Sequence, residues 1–432
     1  MPDIQRTPEE RQILGRAATV LPGGTLGNVR LADDYAFVVK EGRGSRIWDV
    51  SGNEYVDYLL GSGPMVVGHA HPKVIAAAEE AMRKGTTFFT QNPYAIELAE
   101  RIVEAVPCAE QVRYTSTGTE ATSYALRVAR AFRRRDKILK FEGGFHGMHD
   151  YSLMSLSPSG TVPFPAPEPS SAGIPKAVQD TVLVAPYNDI ETTVAIIEQN
   201  HNDLAAVIVE PVQRILAPLP GFLEGLREVT ARYDIPLIFD EVVTGFRMAY
   251  GGAQQYYGVT PDLAAIGKIV GGGFPLAAVV GRKELMDVYD ANAVDPGDFL
   301  PQIGTLNGNP VAAAAGLATL EIMRAPGLYE AYWETGGRLR NGLQQMLDEA
   351  EIPATVSGID LMFDVYFTET PITGYRSTLS SDKSKNKIFD ETLMEHGVFK
   401  PPGKVYVGVC HDEADVQKTL AAFQAGVNAL RD

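Results

Sequence analysis

The chain is predicted to adopt an α/β fold, with a large domain built on a mostly parallel sheet flanked by helices and a smaller α+β domain formed by its N- and C-terminal segments. Three observations predict it. The 432 residues exceed what one ordinary core accommodates and suit a large α/β domain with a smaller partner. From about residue 71 onward, helical stretches alternate with short apolar runs at 111–115, 204–210, 236–240, 263–267 and 276–280, the pattern of strands joined by crossover helices. Before that point, FVVKEGRGSRIWDVSGNEYVDY (37–58) alternates apolar and polar residues around glycine-containing breaks, which predicts short strands and tight turns.

The divisions expected are 1–70 for the N-terminal segment, which joins the small domain, 71–325 for the large domain and 326–432 for the C-terminal part. In that last part an amphipathic stretch, Leu328–Glu349, precedes two strand-like runs, LMFDVYF (361–367) and KVYVGV (404–409), and a final helix over 412–430. The segment SPSGTVPFPAPEPSSAGIP (157–175) is too rich in Pro, Ser and Gly to continue a helix or a central strand. It is expected to be a long loop and is a candidate lid.

Composition excludes several classes of function. With 45% hydrophobic and 21% charged residues the chain is of globular type, and a formal net charge of −16 makes nucleic acid and anionic membrane poor partners. The one basic run, Arg133-Arg134-Arg135 with Lys137 beyond it, reads as the end of a helix, where cations suit the macrodipole. Only Cys108 and Cys410 are present, which argues against a disulfide scaffold and for a reducing compartment, the cytoplasm. The start of the chain is polar, and no stretch reaches the roughly 18–20 apolar residues of a membrane span.

In open α/β sheets a ligand sits beyond the carboxyl ends of the strands, so the residues after each apolar run carry the functional signal. IFDEVVTGFR (238–247) puts Asp240 at one strand end, and AAIGKIVGGGFPLAA (264–278) puts Lys268 at the next. YTSTGTEATSYAL (114–126) runs from a strand end through Gly118 into a helix. Alone, each has an ordinary explanation: a capping Asp, a surface Lys, an N-capped helix. Together they supply a helix N-terminus with the Ser116, Thr117 and Thr119 hydroxyls for a phosphate dianion. They add a carboxylate for a protonated ring nitrogen and an amine able to form an imine. Gly271-Gly272-Gly273 lets the backbone come close.

These residues resemble the class III aminotransferases among the fold type I pyridoxal phosphate enzymes, in the branch holding glutamate-1-semialdehyde aminomutases and β-amino-acid aminotransferases. The resemblance extends through LPGG (21–24), VVGHAHP (66–72), FEGGFHG (141–147), VEPVQ (209–213) and GTLNGNP (304–310). It implies pyridoxal 5′-phosphate as cofactor, with Lys268 as the Schiff-base lysine and proton shuttle and Asp240 as the partner of the pyridine nitrogen. Gly118 and Thr119 match the family's phosphate cup. Thr305, with Gly304, matches a threonine reaching the phosphate from the neighbouring subunit, which implies a homodimer with a shared site. Phe145 stands where the family stacks an aromatic ring, usually Tyr, on the pyridine, and Val242 matches the residue on the other face. His146 and Glu210 match positions that support the pocket.

For substrate, Arg30 in PGGTLGNVR matches an arginine that binds the substrate carboxylate in the aminomutase branch, a fit suited to a planar guanidinium. Ser62 in GSGP (61–64) replaces the family aminomutases' Trp, which should widen the pocket. Lys404 in PPGKVYV (401–407) lies close to where some β-amino-acid aminotransferases carry a carboxylate-binding Arg. Three readings stay open: an aminotransferase passing nitrogen from a β- or ω-amino acid or amine to pyruvate or 2-oxoglutarate, an intramolecular aminomutase, and an amino-acid racemase. A cofactor-binding protein without catalysis is the last alternative. Arg30→Ala is expected to raise KM for carboxylate-bearing substrates far more than for simple amines; equal effects in steady-state kinetics would defeat the assignment.

Overall fold

The computed structural model describes residues 4–27 and 31–431. Backbone contacts divide the chain into two units, one comprising Pro72–Tyr329 with Thr370–Ser380, the other the chain up to His71 with Glu330–Glu369 and the segment from Ser381 onward.

In the larger unit, apolar runs too short for helices become the strands of one sheet. Its order is Gln111–Thr115, Ala277–Gly281, Leu263–Ile266, Leu237–Glu241, Leu204–Val209, Lys137–Phe141 and Val182–Ala185. Ala277–Gly281 runs antiparallel to both neighbours, and every other pair is parallel. All six residues of Leu204–Val209 are buried, as in a strand covered on both faces, which explains its unbroken apolar sequence. Helix Gly118–Arg133 lays Ala121, Ala125, Leu126, Val128 and Ala129 into the core that also holds Ile138, Ile208, Ile238 and Val279. It ends within the basic run, with Arg134 at φ 52° as its left-handed C-cap.

Segment 157–175 is the long loop its composition predicts, and it is tied to its neighbours at several points. The Ser155 N–H donates to the Glu168 carbonyl at 2.6 Å, and the Glu168 carboxylate accepts from the Ser159 hydroxyl at 2.9 Å. From Thr370–Ser380, the Tyr375 hydroxyl donates to the Pro158 carbonyl at 3.0 Å and Arg376 Nη2 to that of Val162 at 2.6 Å. The same guanidinium lies 4.3 Å from the Phe164 ring centre and grips Glu142 with two bonds of 2.9 and 3.0 Å. These bonds account for the grouping of Thr370–Ser380 with the larger unit.

The smaller unit has two sheets. Val39–Arg43, Arg46–Asp49 and Glu54–Asp57 form an antiparallel meander, and Val398–Phe399 adds in parallel to its last strand, so both ends of the chain share a sheet. Thr355–Ile359, Met362–Tyr366 and Val405–Tyr406 make the second, in which only two residues of the 404–409 run pair as a strand. Buried Lys400 binds Asp364 at 3.0 Å and Asp390 at 2.8 Å, giving its charge the partners burial requires. Cys108 and Cys410 are both free, and among the described residues no single helix is long and apolar enough to cross a membrane.

Helix Pro310–Met323, rich in alanine and with ten of its fourteen residues buried, packs on the turn Lys268–Gly271. A Cβ on Gly316 would lie 2.1 Å from the Val270 carbonyl oxygen, so backbone meets backbone there. Gly316→Ala is expected to cost about 1–3 kcal/mol and lower Tm by several degrees. An unchanged Tm by calorimetry would show that the turn has room to spare.

Candidate active site

The topology gathers three strand ends on one edge. Leu237–Glu241 and Leu263–Ile266 are parallel neighbours with Asp240 opposite Ala265 and Glu241 opposite Ile266, so Lys268 emerges just beyond the level of Asp240. Two successive antiparallel pairings through Ala277–Gly281 restore the direction of Gln111–Thr115, whose carboxyl end therefore opens on the same edge.

Asp240 is 5% exposed, and its two oxygens have different partners. Oδ1 accepts from the Val242 N–H at 3.1 Å, and Oδ2 lies 2.8 Å from His146 Nδ1. Burial pushes the Asp240 carboxyl up to about 7, against the Val242 N–H and the charge of Lys268, which draw it down. Burial, with the nearby Lys140 charge, pulls His146 down to about 3 against Glu210, which raises it, so the imidazole is neutral. The hydrogen then belongs on Nδ1, facing Asp240, and the buried Nε2 finds no partner among the described residues. Lys268 follows Gly267 with φ 51°, a left-handed conformation that costs a β-carbon-bearing residue energy and fixes where its side chain starts.

At the helix N-terminus, Thr117 and Glu120 form a capping box. The Glu120 carboxylate accepts from the amides of Ser116 and Thr117, both at 2.9 Å, and from the Thr117 hydroxyl. Ser116 and Thr117 thus serve the cap with their amides, and the amides left for an anion are those of Gly118 and Thr119. Thr119 Oγ1 accepts from the Met148 N–H at 3.2 Å and keeps its own hydrogen to donate. A Cβ on Gly118 would lie 2.8 Å from Val242 Cγ1, and one on Gly267 3.3 Å from the same atom, so Val242 sits between the helix start and the residue before Lys268.

The turn 143–147 brings the remaining large-unit candidates together. Phe145, 36% exposed, donates its N–H to Glu210 Oε2 at 2.8 Å. The Arg214 guanidinium lies 5.3 Å from the centre of its ring, a contact with no signal in the sequence. The His146 carbonyl accepts from the Thr122 hydroxyl at 2.6 Å, and Gly147, at φ 89°, has no space for a Cβ because Thr119 Cα would be 2.6 Å away.

Gly304 and Thr305 lie in the turn before helix Pro310–Met323, with Thr305 exposed and Asn307 at 3.5 Å from the Ser116 hydroxyl. Ser62 and Lys404 belong to the smaller unit. Ser62 has φ 69°, and Lys404 is 8% exposed with Nζ 5.3 Å from the Tyr406 ring centre. Arg30 lies outside the described residues.

The sequence profile of the family described as aminotransferase class-III matches residues 30–412. The glutamate-1-semialdehyde 2,1-aminomutase of Methanosarcina acetivorans is 41% identical over 421 residues, covering 96% of this chain and 97% of that protein. Among solved structures, an omega-transaminase from Sphaerobacter thermophilus superposes with a TM-score of 0.94 at 36% identity over 100% of both chains. A β-phenylalanine aminotransferase from Variovorax paradoxus gives 0.87 at 29% identity over 98% of this chain and 94% of that one. The fold is that of the fold type I pyridoxal phosphate-dependent transferases. Enzymes of this class depend on pyridoxal 5′-phosphate, and the residues present fit that group. The Gly118 and Thr119 amides at the helix start are left uncapped by Glu120, and a buried carboxyl with few compensating bonds is suited to a cationic ring nitrogen.

The raised Asp240 carboxyl has a signed consequence for the cofactor-free protein. Below about pH 4 it is protonated whether the chain is folded or not; between there and about 7 only the unfolded chain ionises, so its contribution to stability falls as pH rises. Asp240→Asn removes that loss. Relative to wild type, the variant apoprotein is expected to gain stability between about pH 4.5 and 7.5, measured by urea unfolding. A relative loss over the same interval would reverse the assignment.

Proposed function

The chain belongs to the class-III aminotransferases, and from that premise we propose that it transfers an amino group from a β- or ω-amino acid or an amine to a keto acid such as pyruvate or 2-oxoglutarate. The observation that carries the reading is the pairing of buried Asp240, oriented by His146 and the Val242 amide, with Lys268 at the end of the adjacent strand.

Bound there, pyridoxal phosphate supplies an aldehyde that joins to amines and a ring that takes up the electron pair freed at the carbon bearing nitrogen. Lys268 would hold the group covalently, and its amine, once free, would take a proton from the substrate carbon bearing nitrogen and deliver one back. An amine regenerated in place suits transfer in both directions. Asp240 would keep its negative charge beside a protonated ring nitrogen, whose charge would offset the burial that otherwise raises the carboxyl. Gly118 and Thr119 would hold the phosphate with Ser116 and Thr117 beside them, Phe145 and Val242 would pack against the ring, and Glu210 fixes the Phe145 backbone.

A second copy of the chain completes the site by bringing Thr305, with Gly304, to the phosphate. Support comes from the apolar surface around that turn: Phe89 is 67% exposed, Ile303 80% and Leu306 47%. Phe89 and Ile303 line a cavity of about 550 Å³ with Tyr114 and Asn307. Exposed apolar groups so concentrated mark a covered face.

For substrate choice, Ser62 in place of a bulky ring leaves room for a larger side chain, while Arg30 or Lys404 takes a carboxylate. The 36% identity to an omega-transaminase over the whole chain supports intermolecular transfer. The 41% identity to an aminomutase supports a second reading, intramolecular transfer in a glutamate-1-semialdehyde-like substrate.

A donor screen followed at the cofactor absorbance, with and without added keto acid, separates the two. The first reading expects turnover to stop without the keto acid; sustained turnover without it that keeps the optical rotation would establish the second, and loss of rotation with no new carbonyl would point to a racemase instead. Lys268→Ala is expected to lower turnover by about four orders of magnitude and to abolish labelling at that position after borohydride. An active Lys268→Ala enzyme would remove the mechanism altogether.

A further inference from the structure

We propose that Lys140 is a positioning residue of this site, its ammonium group tying the 143–147 turn to the 152–154 segment and thereby holding Phe145 and His146 in register with Glu210 and Asp240. The inference rests on the cofactor reading above for the roles of Phe145 and His146.

Lys140 lies within the strand Lys137–Phe141 and is 0% exposed. Among the described residues it has no carboxylate partner within ion-pair distance. Its Nζ donates instead to three backbone carbonyls, those of Gly144 at 3.0 Å, Ser152 at 2.7 Å and Met154 at 2.6 Å. Burial pulls the ammonium down to about 7, but three carbonyls call for three hydrogens, and only the charged form has three. A buried cation held by carbonyls alone is a costly way to fill a strand position that an apolar side chain would fill without penalty. Its presence is explained by what the three bonds hold.

Each other residue of the turn has a tether of its own. The Gly143 N–H donates to the Ser155 carbonyl at 2.8 Å, the Phe145 N–H to Glu210, and the Gly147 carbonyl accepts from the Ser152 hydroxyl. His146 is held at its carbonyl by Thr122 and at its ring by Asp240. Gly144 donates its N–H to the Phe141 carbonyl at 3.1 Å, while its own carbonyl depends on Lys140. Gly143 and Gly144 are the two residues about which the turn pivots most freely, and Phe145 follows directly. Losing that bond loosens the turn at the residue just before Phe145 and His146, whose other tethers then have to hold the ring and the imidazole in register alone.

The test uses holoenzyme reconstituted with pyridoxal phosphate, comparing wild type with Lys140→Met and Lys140→Gln, well below their melting temperatures. Expected are a changed visible circular dichroism of the bound cofactor, a fall in kcat of about tenfold or more, and KM for the donor found by screening within about threefold of wild type. A variant with wild-type cofactor dichroism and kcat and only a lower Tm would overturn the proposal, because a role in folding alone predicts that result. Failure of both variants to yield folded holoenzyme would overturn it too. Wild-type protein that binds no pyridoxal phosphate would instead defeat the cofactor reading on which this one stands.

Discussion

A carboxylate taken out of water at the end of a central strand is tolerable only if its surroundings answer for the charge, and Asp240 is the group around which this molecule is arranged. Water would have stabilised the anion by several bonds; here one backbone amide and one neutral imidazole replace it, and the carboxyl rises to about 7 in consequence. That deficit is useful. A site short of compensation for a negative charge has most to gain from a cation placed against it, and a protonated ring nitrogen is such a cation. His146 can play its part only while neutral, because a charged imidazole would itself neutralise Asp240. Burial and the Lys140 charge both keep it neutral.

The rest of the site follows from close approach of backbone. Gly118 and Gly147 bring the helix start and the turn 143–147 to within contact of Val242 and Thr119, where a methyl group would strike its neighbour. Gly316 does the same for helix Pro310–Met323 against the Lys268 turn. Glu120 settles the remaining conflict at the helix N-terminus. It caps the amides that point away from the cup, so the partial positive charge left over is concentrated on Gly118 and Thr119.

Much of this was legible before any coordinates, and the exceptions have physical causes. Strand ends carrying Asp240 and Lys268 could be read because their apolar runs are continuous and end abruptly. Lys137–Phe141 could not, because Lys140 interrupts its apolar run with a charge that only the three-carbonyl nest explains. The Thr-x-x-Glu of Thr117 and Glu120 was visible as a capping box and would have predicted that the Ser116 and Thr117 amides are spoken for. Arg214 beside Phe145 and Arg376 on Glu142 gave no signal, since each depends on a partner remote in the chain.

The division between what the sheet provides and what the loops provide also explains how one framework is compatible with more than one reaction. Cofactor chemistry needs a carboxylate, an amine and a helix terminus at fixed separations, and strands paired residue by residue give those separations with little freedom to drift. Choice of donor and acceptor needs only side chains of suitable size and charge at the rim. Irregular backbone, as at Ser62 with its left-handed φ or at Lys404 beside a two-residue strand, can vary without disturbing the strand pairing. Near-complete overlap with an omega-transaminase and an equally extended likeness to an aminomutase are therefore physically consistent, because both follow from the same rigid edge of the sheet.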